Sequence, residues 1–142
     1  DNAGLNAKIS DDVFFSIWSK AAVNSVLNPL CTILDKTIGE FGEYEDAREM
    51  ITPILKELVA VANARGTNVV FETLLAKIEA TYPNEAQGLH YPSMHQDHTN
   101  KRLTEIDYLN GQIAKYGDEL GIETPTNDVI THLIHQLEMK YA

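Results

Sequence analysis

Four polar residues interrupt an otherwise apolar stretch at regular spacing. Phe14, Phe15, Ile17, Trp18, Ala21, Ala22, Val23, Val26 and Leu27 predict a helix apolar around most of its circumference, and such a helix is mostly buried. Ser16, Lys20, Asn24 and Asn28 break it at every fourth position, and four residues advance only about 40° around a helix of 3.6 residues per turn. They form one polar line. A lone mid-helix lysine ordinarily reaches solvent with its stem lying over apolar surface. Asparagine, however, is a poor interior helix former, so two of them in line with a lysine point to the wall of a polar cleft.

The elements that must position this line are helical. The chain has 142 residues and a net charge of −10, enough for one domain that buries roughly two-thirds of its unfolded surface. Such a charge repels phosphate backbones and anionic membranes, so no nucleic acid and no membrane partner is expected. Nor does any apolar run approach the roughly 18 residues needed to span a bilayer. The lone Cys31, in NPLCTIL, reads as a buried, inert thiol of a reducing compartment, the cytoplasm by default. Asp1 in place of Met hints at a processed or excised piece of something longer.

Periodicity of 3.6 dominates, giving an all-α expectation. The first helix is expected to begin after Ser10 as N-cap, with Asp11 and Asp12 in its first turn, and to end or kink at Pro29. A shorter apolar piece, LCTILDKTI, follows, then a turn around Gly39 and Gly42. A segment from about Tyr44 to Arg65 places Ile51, Leu55, Leu58 and Ala62 on one face, is kinked or restarted at Pro53, and stops at Gly66. Further helices are expected over Val70–Tyr82, from Ile106 to Gly121, and from Thr124-Pro125 onward with Val129, Leu133, Ile134 and Leu137 on one face. YPNEAQGLHYP reads as a loop. Ser93-x-x-Gln96 has the form of a capping box.

The blocks IWSKAAVNSVLNPL, YPSMHQDHTNKRLTEIDYLNGQI and GIETPTND closely resemble the C-terminal domain of the ketopantoate reductase (2-dehydropantoate 2-reductase) family. The likeness covers nearly the whole chain, with the K-x3-N-x3-NP, SM-x-QD, TEIDYLNG and G-x3-P-x-N patterns in the family's order. It implies a multi-helix domain of the 6-phosphogluconate-dehydrogenase-like type, working with its own N-terminal Rossmann domain. That domain binds NADPH, and the two together reduce ketopantoate to pantoate. By the same resemblance Lys20 is the catalytic acid, Asn24 and Asn28 hold the substrate's hydroxyl, and Ser93 its carboxylate. Glu105 is implied as an active-site residue that contacts Lys20 and the bound ligands, cofactor included, keeping the lysine protonated despite burial. The chemistry fits, because a carbonyl gaining hydride develops negative charge that a fixed cation stabilises most in the transition state. One departure is noted: many members carry Asn before the glycine matching Gly39, where this chain has Ile38.

Taken without the resemblance, Ser93 is the cap of its helix and Glu105 a first-turn acid complementing the dipole; Gln96 and Asp97 are read as structural. His90, His95, Asp97 and His98 lack any common zinc spacing, so no metal is expected. His132 and His135 are expected to flank the apolar face of the last helix, and Glu40, Glu43, Glu45, Asp46 and Glu49 to be solvated. No G-x-G-x-x-G follows a strand, so the chain holds half a site and is expected to be inactive alone. Two alternatives stand beside the main expectation: a reductase of another 2-oxo acid or an opine-type dehydrogenase domain, and a stand-alone helical binding or dimerisation module without catalysis. Family members occur as monomers and dimers, and a homodimer is one expectation.

Overall fold

The computed structural model describes residues 2–141, with side chains from Val13 to Tyr141. All regular structure among these residues is helical, and none of their helices is long and apolar enough to cross a membrane. Helix α1 spans Asn2–Leu34. It begins ahead of Ser10, so that residue lies within the helix rather than at its cap; the roles expected for the Ser10, Asp11 and Asp12 side chains lie outside the described residues. Nor does α1 end at Pro29: the LCTIL piece expected to be separate is its continuation.

The reason is a partner far away in sequence. A proline inside a helix lacks the N–H that residue i−4 needs, here for the carbonyl of Ser25. Both Ser25 and Pro29 are buried, and Asn110 Nδ2 donates to that carbonyl at 3.0 Å. The helix stops at Leu34 by backbone geometry. Lys36 N–H reaches the Cys31 carbonyl at 3.0 Å and Asp35 N–H the Thr32 carbonyl, with Asp35 left-handed at φ 54°, an αL stop that Asp tolerates better than most residues.

The turn expected around Gly39 and Gly42 is a short helix, α2 (Ile38–Gly42), opened by a capping box in which Thr37 and Glu40 bond each other's backbone. Helix α3 (Ala47–Ala64) runs through Pro53 without a break and buries Ile51, Leu55, Leu58 and Ala62 as the periodicity predicts. Pro53 is exposed, so the carbonyl it deprives of a donor can be hydrated. The five acids expected to be solvated, Glu40 through Glu49, are exposed. Helix α4 (Phe71–Glu79) buries Leu74, Leu75 and Ile78, and a single π turn (Asn84–Gly88) lies inside the expected loop. Helix α5 (Ser93–Thr99), a 3₁₀ turn (Ile106–Tyr108), α6 (Asn110–Leu120) and α7 (Pro125–Glu138) complete the chain. Gly66 and Gly121 end α3 and α6 in left-handed conformation.

Helix α1 is the axis of the domain, packing against α2, α3, α4, α5 and α7, while α3 backs onto α4, α6 and α7. Its Ala22, Val26, Leu27, Leu30 and Cys31 are core residues, as an all-round apolar helix requires. In α7 the expected face is displaced: Val129 and Leu133 are 56% and 44% exposed, and Asn127, Ile130, Ile134 and Glu138 point inward. Burying Asn127 and Glu138 is tolerable because both are bonded. Asn127 is held by Glu57 and Asn110, and Glu138 by Thr104.

Candidate active-site cleft

The polar line of α1 runs from exposure into burial. Lys20 is exposed, Asn24 half-buried and Asn28 buried, so the line descends into the molecule. Asn24 and Asn28 line a cleft of about 230 Å³ together with Ser93, Ile38, Gln87 and His90. Three of the five expected site residues therefore converge, from α1 and from the start of α5. Lys20 stands one turn before Asn24, roughly 6 Å along the axis.

Ser93 is free for a ligand. The capping box expected of Ser93 and Gln96 does not form: Pro92 occupies the N-cap position with no side-chain cap bond, and the Gln96 amide donates back to the Tyr91 carbonyl. The proline's fixed φ suits an extended cap residue, which moves Ser93 one place into the helix. The apolar part of the cleft comes from Val23, Leu27 and Pro92, with Ile38 only 4% exposed where the family pattern has an amide. Ile38 is fixed by its N–H, which donates to the His90 carbonyl at 3.0 Å. His90 and Gln87 were not picked out for this cleft from sequence, because they sit on an irregular segment whose only aperiodic signal was turn composition.

Glu105 does not line this cleft, and no ion pair joins it to Lys20. The contact expected between them is absent here. Both side chains are exposed, and holding two long solvated side chains together gains at most about 1 kcal/mol. Nor is Glu105 a first-turn acid of a long helix: it precedes the 3₁₀ turn, after which Leu109 breaks the helical path before α6. Its backbone is nonetheless firmly placed. Glu138 accepts from the N–H and hydroxyl of Thr104 at 2.7 and 3.0 Å, and Ile106 on the other side is buried.

The Glu105 segment borders a second, more apolar groove of about 480 Å³. Ile17, Trp18, Ala21 and Ser25 of α1 form one wall and Tyr108, Leu109 and Ile113 the other. Arg65 stacks over the Tyr116 ring at 3.7 Å in the same groove. Lys20 thus lies between helix neighbours that face two different clefts, Ala21 on the apolar side and Asn24 on the polar one. The histidines diverge instead of clustering. His95 Nε2 faces Asp35 at 2.6 Å, His98 faces the Tyr141 hydroxyl and His135 faces Asp107; no group of three ligands that could hold a metal occurs among the described residues. Cys31 is buried, with its thiol pushed up to about 12 by desolvation, so it is not a nucleophile at neutral pH.

Residues 12–138 match the family described as ketopantoate reductase PanE/ApbA C terminal. The 2-dehydropantoate 2-reductase of Lactococcus lactis subsp. lactis (strain IL1403) is 42% identical over 137 residues, covering 96% of this chain and 44% of the relative. The chain thus spans less than half the length of the curated relatives it matches. Among solved structures, D-mandelate dehydrogenase with NADH and anilino(oxo)acetate superposes with a TM-score of 0.87 at 41% identity, over 89% of this chain and 41% of that one. A PanE/ApbA family ketopantoate reductase from Ralstonia eutropha JMP134 gives 0.78 at 29% identity, over 89% and 42%.

Proposed function

The chain belongs to the ketopantoate reductase C-terminal family, and from that premise we propose that it is the substrate-holding half of an NADPH-dependent 2-dehydropantoate 2-reductase, reducing ketopantoate to pantoate on the way to pantothenate. The observation that carries the proposal is the convergence of Asn24, Asn28 and Ser93 on one cleft, on the helix that bears Lys20. Asn24 and Asn28 would bond the substrate's hydroxyl and Ser93 its carboxylate; neutral donors orient without a fixed charge. Lys20 would stand over the ketone and donate its proton to the oxygen as negative charge develops there.

A nicotinamide cofactor would supply the hydride. The surface beside Lys20 suits a planar ring, since Ile17 and Tyr108 are exposed apolar side chains, 56% and 79%, flanking an open groove. Glu105, three residues before Tyr108, would contact the cofactor and, when ligands bring the walls together, Lys20. Most of the dinucleotide would be held by a Rossmann domain preceding this chain, closing on the exposed Val13, Phe14 and Ile17. The buried free thiol of Cys31 fits the reducing cytoplasm.

One observation favours a second reading, a D-2-hydroxy acid dehydrogenase: the likeness to D-mandelate dehydrogenase, together with the apolar Ile38 in the cleft. The test is to assay the protein carrying this chain and the segment before it, with NADPH and with NADH, on ketopantoate and on phenylglyoxylate. A kcat/KM at least tenfold higher for ketopantoate supports the first reading. The reverse order supports the second, and no turnover of either acid removes both.

A further inference from the structure

Asn110 is fully buried, as are Ser25 and Asn127. Both its amide hydrogens are committed, one to the Ser25 carbonyl at 3.0 Å and one to Asn127 Oδ1 at 2.9 Å. Its own Oδ1 has no partner. The two donated bonds tie the head of α6 to α1 and to α7 at once. With no N–H on Pro29, Asn110 supplies the donor that the Ser25 carbonyl would otherwise lack within its helix. That carbonyl lies one residue after Asn24 and five after Lys20, while Asn110 follows Glu105 by five residues and opens α6.

We propose that Asn110 is a positioning residue for the reduction: through the carbonyl that Pro29 leaves without a donor, it fixes the Glu105 segment against the Lys20 side of α1. The inference rests on the reading of Lys20 and Glu105 given above. Asn110 and Glu138 grip this segment from its two ends, Asn110 at the head of α6 and Glu138 at Thr104. The 3₁₀ turn and the irregular Leu109 between them provide no helical continuity of their own. The Asn24, Asn28 and Ser93 cleft is assembled from α1, α2, the π turn and the segment from His90 to Ser93, without Asn110. Loss of Asn110 therefore touches the step that involves Lys20 and Glu105 more than the binding of the 2-oxo acid.

The test uses Asn110→Ala and Pro29→Ala, alone and combined, in the full protein. In the Pro29→Ala background the Ser25 carbonyl regains an ordinary backbone donor, so Asn110→Ala should lower the unfolding midpoint clearly less than it does in the parent. Its kinetic effect should persist there: kcat about tenfold or more below Pro29→Ala alone, since misplacement near 1 Å can cost about 10², with KM for the 2-oxo acid within about threefold. Recovery of kcat along with stability in the combined variant would overturn the proposal and leave Asn110 a structural residue. So would an Asn110→Ala protein with unchanged kcat. If the parent reduces no 2-oxo acid, the functional reading fails, and the unfolding comparison still decides the Pro29–Asn110 link; an equal loss of midpoint in both backgrounds refutes it.

Discussion

The Glu57 carboxylate of α3 accepts three hydrogen bonds at the start of α7, from the backbone N–H groups of Thr126 and Asn127, both at 3.0 Å, and from the Asn127 side-chain amide at 2.8 Å. It does what an N-cap side chain does, from about 70 residues away. Thr124 occupies the N-cap position of α7 without a side-chain cap bond, its hydroxyl donating to Asp128 Oδ1. A carboxylate at a helix N-terminus is favoured by the dipole as well as by the donors it satisfies.

Glu57→Ala should accordingly destabilise the fold by about 1–3 kcal/mol, because it leaves two N–H groups without an acceptor and removes the shortest bond of the buried Asn127 amide. Glu57→Gln should cost less, since one acceptor oxygen remains. Chemical denaturation of both variants checks the order; equal costs would show that the one oxygen Gln retains contributes nothing without the charge and the second oxygen.

High pH should unfold the domain through two buried acids. Burial pushes both the Cys31 thiol and the Tyr82 hydroxyl up to about 12, above their ordinary values of 9.0 and 10.0. Because the folded-state values are raised, the unfolded chain gives up these protons first. The stability they represent is complete below pH 9 and is lost as pH rises from about 9 to 12. Cys31→Ala should flatten the lower part of that decline in a pH series of melting curves, and the native thiol should stay unreactive to a thiol reagent at pH 8 until the protein unfolds.

Gly39 is packed too closely for any side chain: a Cβ there would sit 2.8 Å from the Gly88 carbonyl oxygen. That backbone contact brings α2 onto the π turn and so places Ile38 and His90 in the cleft. Gly39→Ala should push the two apart, costing about 1–3 kcal/mol as overpacking does, and should raise KM for the substrate more than it lowers kcat. An unchanged KM would separate the cleft's geometry from this contact.

Much of the molecule can be read from residue spacing. The polar line of α1, the α3 face from Ile51 to Ala62, and the glycine stops at Gly66 and Gly121 all follow from local periodicity and backbone chemistry. What local rules miss is set by partners distant in sequence. Pro29 reads as a break until Asn110 answers the Ser25 carbonyl. The inward face of α7 is rotated toward Asn127 and Glu138 because Glu57 and Thr104 wait for them, and no hydropathy pattern registers that. Two local signals compete as well: Thr37-x-x-Glu40 forms the capping box, while Ser93-x-x-Gln96 loses its cap position to Pro92. Asn24, Asn28 and Ser93, which the resemblance implies as substrate-holding residues, share one cleft, whereas Lys20 and Glu105 form no ion pair.

The central claim is that the exposed Lys20, one turn above the cleft, donates the proton that completes reduction of a 2-oxo acid. Steady-state kinetics of Lys20→Ala in the full protein test it most directly. Loss of general acid and cation should lower kcat by about 10² or more, with a much smaller change in KM, since Asn24, Asn28 and Ser93 still hold the substrate. Turnover within a fewfold of the parent enzyme would contradict the account.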